Sequence, residues 1–158
     1  MITPRRGWPV LLLGAGLLLG CAGQPPETLG VAAGRLAPCP TTPNCVSSQY
    51  DAELAPLPLA LAPADAWPLI RAEVASMPRT RVVTVNDNYL HAEARSRIFG
   101  FVDDLELLLQ ADPGQLQLRS ASRLGYSDLG VNRRRVDDLA RRLIDAGVVV
   151  PAAASAAP

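Results

Sequence analysis

Residues 95–143 read RSRIFGFVDDLELLLQADPGQLQLRSASRLGYSDLGVNRRRVDDLARRL, and the fold class follows from the way their periodicity changes. In Phe99 to Gln110, Phe99, Phe101, Leu105, Leu107 and Leu109 share one parity, the period-two pattern of a strand with one buried face. Asp103 falls on the same parity, so either a bulge at Asp103-Asp104 re-aims it or it is buried with a partner. Asp112-Pro113-Gly114 carries turn chemistry, and Gln115 to Ser122 is a further strand with Leu116 and Leu118 inward. The period then lengthens. From Asn132, a good N-cap residue, Val136, Leu139, Ala140, Leu143 and Ile144 recur at helical spacing, and Gly147 offers a C-terminal stop.

Working outward, Thr80 to Val85 is β-branched, and Asn86-Asp87-Asn88 turns it into a strand from Tyr89 to Ser96. There Tyr89, His91, Glu93 and Arg95 point one way, and Leu90, Ala92 and Ala94 the other. Upstream, Asp65 is placed to cap a helix with Pro68 near its first turn. Trp67, Ile70, Val74 and Met77 line one face of that helix, and Pro78 ends it. A stripe of this kind is core packing. The expected fold is α+β: a four-stranded antiparallel meander packed against two helices in a two-layer sandwich. It forms a single domain over residues 38–147. Pro38 to Gln49 reads as a compact loop, Tyr50 to Pro63 as extended chain, and 148–158 as a disordered Ala/Pro tail.

Composition narrows the function. The 158 residues carry 15 basic and 15 acidic side chains, so nothing argues for nucleic acid as a partner. Every basic side chain is Arg, which removes Schiff-base and P-loop lysine chemistry. Arg5 and Arg6 precede an apolar run from Val10 to Leu19, of signal-peptide length and too short to span a bilayer, which takes about 20 residues. Leu18-Leu19-Gly20-Cys21 resembles the lipobox of bacterial lipoproteins. That resemblance implies a signal peptide over 1–20, lipidation of Cys21, and an envelope location. Because Ala22 is not Asp, the periplasmic face of the outer membrane is expected rather than the inner membrane. Two or more acyl chains make such an anchor stable. Cleavage would remove two of the 15 arginines and no acid, leaving a charge of −2, too weak to define a partner. Residues 21–37, with Gly, Pro and Gln and little periodicity, read as a tether.

With Cys21 lipidated, Cys39 and Cys45 remain, and an oxidising compartment favours pairing them. A metal pair is the alternative, but no His or further Cys lies nearby in sequence to complete it.

The polar residues concentrate after Gln115. Arg133, Arg134 and Arg135 in a first helical turn oppose the macrodipole, so a compensating arrangement is expected. One form is an ion-pair network to Asp103, Asp104, Glu106 or Asp128. Another is an anion site, in which the helix N-terminus, Arg forks and glycine-permitted backbone receive phosphate or carboxylate. Ser120, Ser122 and Ser127 supply hydroxyls. However, Gly125 to Gly130 is one residue too long for a nucleophile elbow, and the only base on offer is His91, read here as a surface residue. The acids match no Ca²⁺ loop, and the chain lacks the aromatic surface usual for sugar chemistry. No cofactor and no metal are expected.

Three motifs carry a family resemblance: CPTTPNCVSSQ, AEARSRIFGFVDDLEL and RSASRLGYSDLGVNRRRVDDL. Together they resemble the bacterial domain-of-unknown-function family 1499 over Cys39 to Leu143. The resemblance names no reaction. It implies weight at Cys45, Ser47, Arg95, Arg97, Phe99, Asp103, Asp104, Arg119, Ser120, Ser122, Arg123, Gly125, Ser127, Asp128, Asn132 and Arg133. The resulting expectation is a membrane-anchored, non-enzymatic binding or structural module. Its polar patch of Arg95, Arg97, Asp103, Asp104, Arg119, Ser120, Ser122, Arg123, Ser127, Asp128, Asn132 and Arg133 would take an anionic small molecule or an envelope protein. The alternative is a hydrolase acting on envelope material.

Overall fold

The computed structural model describes residues 23–51 and 54–151. Its elements run β1 (Cys45–Ser47), β2 (Leu57–Pro58), α1 (Pro63–Ser76), β3 (Thr80–Val85), β4 (Tyr89–Arg95), β5 (Val102–Gln110), β6 (Gln115–Ser122) and α2 (Val131–Asp145). Short turns force consecutive strands to pair antiparallel, and β3 to β6 do so in chain order. The sheet has six strands rather than the four expected. β1 and β2 share the outer edge of β6, Cys45 opposite Ala121 and Leu57 opposite Leu116. Strands of three and two residues are too short to show an alternation, so the sequence gives no sign of them.

Alternation gives the central strands two distinct faces. Leu90, Leu105, Leu107, Leu109, Leu116 and Leu118 form the face under the helices. Trp67, Ile70 and Val74 of α1 and Val136, Leu139 and Leu143 of α2 close over it. Each such side chain contributes roughly 1.5–3 kcal/mol when fully buried. The protein is therefore α+β, with both helices packed on an antiparallel sheet.

Several boundaries differ from the expectation for physical reasons. Phe99 and Phe101 do not join the core: β5 starts at Val102, and the two rings are 70% and 41% exposed. Gly100 between them has φ +68°, a left-handed conformation that cannot continue a strand. α1 begins at Pro63, so Asp65 lies in its first turn instead of capping it, where a carboxylate still favours the helix dipole. Ordered chain continues past Gly147. Val148 and Val149 are buried, and Val149 bridges Leu59 while Val148 accepts from the Ala60 N–H. The leader, Cys21 and residues 152–158 lie outside the described residues. Among those described, no helix is long and apolar enough to cross a membrane.

The other face of the sheet is not left to water. Parts of the segment 23–51 that flank β1 lie over it. Leu36 packs with Tyr89 and Leu108, the Gly30 N–H donates to Glu106 Oε1 at 2.9 Å, and Ser48 Oγ donates to Gln117 at 2.6 Å. The segment read as a tether thus supplies part of the roof. A disulfide joins Cys39 to Cys45, tying that roof to β1.

Candidate functional site

Asp103 and Asp104 are consecutive in β5, and the pleat sends them to opposite faces. Their registers run straight through, Ala94 opposite Asp103 and Glu93 opposite Asp104, so no bulge re-aims either. Asp103 lies buried on the helix side and pairs with Arg135 of α2 at 2.5 Å. Beside it, Asn132 is completely buried. Its Oδ1 accepts from Ser120 Oγ at 2.7 Å and from Arg135 Nη1, and its Nδ2 donates to Asn44 O at 2.9 Å and Ser122 Oγ at 3.0 Å. Asn44 Nδ2 in turn donates to Gly125 O at 2.7 Å. Two amides thereby tie α2, β6, β1's leading loop and the β6–α2 loop together.

Asn132 is not the N-cap. Gly130 occupies that position in a left-handed conformation, and the capping carboxylate is Asp128, whose Oδ2 accepts from the Asn132 N–H at 2.7 Å and Oδ1 from the Gly130 N–H at 2.9 Å. The helix N-terminus is therefore satisfied by the chain's own carboxylate, which also opposes the charge of Arg133 and Arg134 in the first turn, while Arg135 has Asp103.

Asp104 points to the other face, where Arg123 grips it with both nitrogens, Nε to Oδ2 at 2.9 Å and Nη2 to Oδ1 at 2.7 Å. His91 Nε2 lies 2.7 Å from Oδ1. Arg123 also reaches Glu93 at 2.8 Å, which pairs further with Arg81 at 3.1 Å and Arg95 at 3.6 Å. Burial works against both carboxylates, but the hydrogen bonds from His91 and Arg123 to Asp104, and from Arg123 and Arg81 to Glu93, hold them below their ordinary values. A second group sits alongside. Arg119 Nη1 meets Glu106 Oε2 at 2.7 Å, and Tyr89 OH donates to Oε1 at 2.9 Å. Burial, then the neighbouring Glu106 charge, pushes the Tyr89 phenol far above its usual range. His91, expected at the surface, is 5% exposed. With Tyr89 and Glu93 it lines a cavity of about 490 Å³ beneath Pro25, Leu29 and Gly30.

The open site lies at the end of the sheet where β4 and β6 finish. The β4–β5 loop (96–101) and the β6–α2 loop (123–130) face each other there across a cleft of about 440 Å³. Arg97, Ile98, Phe99 and Phe101 form one wall, and Leu124, Gly125, Leu129 and Val131 the other. Asp103, Ser122, Ser127 and Asp128 supply the polar lining.

The residues singled out in the sequence thus divide three ways. Asp103, Ser120, Ser122, Asn132 and Asp128 join on the helix side. Asp104, Arg119 and Arg123, with partly exposed Arg95, belong to the opposite face. Arg97 and Ser127 sit at the cleft, and Arg133 stands apart in a half-exposed pair with Asp137 at 3.0 Å. Ser127 and His91 line different cavities and do not share a site. Asn44, Glu93 and Tyr89 complete the networks and were not among the singled-out residues, whereas Arg135 and Glu106 were named as members of an ion-pair network and are each paired in one. Arg135 had a signal: it lies three residues after Asn132 and four before Leu139, on the buried helix face. No cluster of three or more metal-ligating side chains occurs among the described residues.

Comparison with known proteins gives one match: the model of the family described as "Protein of unknown function (DUF1499)" matches residues 35–143. No curated protein and no solved structure matches. That match spans β1 to α2, the two ion-pair networks and both walls of the cleft, so the chain belongs to the DUF1499 family.

Proposed function

We propose that this protein is a cell-envelope lipoprotein, anchored through Cys21, whose domain is a non-enzymatic binding module, and that its binding surface is the cleft between the two motif loops. The observation that carries this reading is how the charges are committed. Arg119, Arg123 and Arg135 are each buried against a carboxylate, and the N-terminus of α2 is held by Asp128. Those groups fix the framework. At the loop end, by contrast, Arg97 is exposed and makes no hydrogen bond or ion pair among the described residues, beside a cleft with apolar walls. An anionic group held by Arg97, with an apolar part in the cleft, fits that surface.

A thermal-shift screen of the mature protein against phosphates, anionic phospholipid head groups, muropeptides and acidic peptides tests this. Saturation at 100 times Kd adds about 2.7 kcal/mol, and a hit should disappear in Arg97→Ala. A hit that survives Arg97→Ala and disappears in variants of the cavity under Gly30 would refute the assignment. The hydrolase reading draws on one feature, the His91–Asp104 pair facing that second cavity. His91→Ala that leaves hydrolysis of envelope fractions unchanged would remove it.

A further inference from the structure

We infer that the loop end of the domain is a membrane-contacting surface: Ile98, Phe99, Tyr126 and Leu129 enter the interface of an anionic bilayer, and the arginines around them engage its phosphates. The inference deepens the binding-module reading and draws on the lipidation of Cys21.

Ile98 is 82% exposed, Phe99 70%, Tyr126 74% and Leu129 84%, all on the two loops that form the cleft. The ladder places those loops side by side, because Arg95 at the end of β4 lies opposite Val102, and Ser122 at the end of β6 opposite Asp103. Large apolar side chains clustered this openly mark a surface that meets something apolar. They protrude, as an interface with lipid requires, rather than retreating into an enclosed pocket.

Gly23 packs against the same end: a Cβ at Gly23 would lie 2.9 Å from Arg123 Cβ and 3.1 Å from Leu124 Cγ. Cys21 is two residues away, a reach of at most about 7 Å. Acyl chains on Cys21 would start within that distance of Gly23, which lies against Leu124, close enough for the anchor and the exposed loops to meet the bilayer together. A lipoprotein held on a long free tether would place no such constraint on which end faces the membrane.

Exposed Arg79, Arg95 and Arg134 line a hollow with Val131 and Asp138 at this end, Arg95 also pairing with Glu93 at 3.6 Å, and Arg97 stands on the cleft wall. Apolar and aromatic tips ringed by cations are the side-chain chemistry of an anionic lipid interface.

The test places tryptophan at the loop end of the full-length, processed protein, where Trp67 is buried in the core. Leu129→Trp and, as a second probe, Phe99→Trp alter exposed positions and spare the core; Asp87→Trp marks the opposite end of the sheet. Each protein is reconstituted in vesicles of three parts phosphatidylcholine to one part phosphatidylglycerol, with and without brominated acyl chains. The expected result is quenching by brominated lipid at positions 129 and 99, together with about fivefold weaker quenching by aqueous iodide than at 87. Iodide quenching at 129 and 99 equal to that at 87 would overturn the inference, and would favour a protein partner for the loop end. The mass of the processed N-terminal peptide reports lipidation separately. Quenching with an unmodified Cys21 would sink the lipoprotein reading but uphold the surface; a lipidated Cys21 without quenching would do the reverse.

Discussion

Arg135 of α2 reaches across to Asp103 of β5, Nη2 to Oδ2 at 2.5 Å, with both side chains largely buried. This pair fastens the last helix to the sheet directly beneath the cleft. Its energetics are asymmetric, because removing one partner strands the other charge away from water.

Arg135→Ala should therefore destabilise the fold by about 3–5 kcal/mol, whereas Arg135→Met combined with Asp103→Leu should recover most of the loss. Arg133→Ala, which breaks only a half-exposed pair, should cost less than about 0.5 kcal/mol. Urea denaturation of the variants checks the contrast. Equal losses at 133 and 135 would mean that the network is not what holds the helix.

Asn132→Ala removes an amide that satisfies Ser120, Ser122, Arg135 and the Asn44 carbonyl at once. Leaving such groups unpaired costs about 1–3 kcal/mol each, partly relieved by relaxation. The expected outcome is a loss of several kcal/mol in urea titrations, together with faster amide exchange in residues 44–47. Unchanged exchange there would show that the Asn44 link carries no stability.

Acid stability should reflect Glu93 and Asp104. Both are held below their ordinary values of 4.5 and 3.8 by Arg123 and its neighbours, against the opposing effect of burial. A depressed folded pKa contributes stability that is complete above the unfolded value and is lost as pH falls through the folded one. Tm should thus fall steeply only below about pH 4 on account of these groups. Arg123→Lys keeps the charge but loses the fork on Asp104, so its Tm should be lower at pH 7 and decline less on acidification. A parallel decline in both proteins would contradict this assignment.

The Cys39–Cys45 bridge closes a short loop and should contribute about 2 kcal/mol in the chain-entropy description. Cys39→Ser/Cys45→Ser should lower Tm by several degrees and leave the α2 network intact by amide exchange.

The meander was legible because Tyr89 to Arg95, Asp104 to Leu107 and Gln115 to Leu118 each alternate, and that alternation separates Leu90 and Leu105 from His91 and Asp104. The width of the sheet was not, since Cys45–Ser47 and Leu57–Pro58 are too short to carry a period. The burial of the polar face was hidden for a related reason: what covers it is the aperiodic segment around Gly30 and Leu36, whose docking depends on Glu106 and Tyr89 far along the chain. At Phe99 the parity of the strand was misleading, because the φ of Gly100 overrides it. At Arg135 the helical spacing already distinguished the inward arginine from Arg133, and the run of three obscured it.

Hydrogen exchange distinguishes a binding face at the loop end, carried on the two ion-pair networks, from one elsewhere on the domain. The processed protein would be compared in detergent micelles and on phosphatidylglycerol-containing vesicles. Added protection is expected only in residues 96–101 and 123–131, with the strands β4 to β6 unchanged. Protection centred instead on the segment around Gly30 and the β3–β4 turn, with the loop end unaffected, would contradict that placement of the binding face.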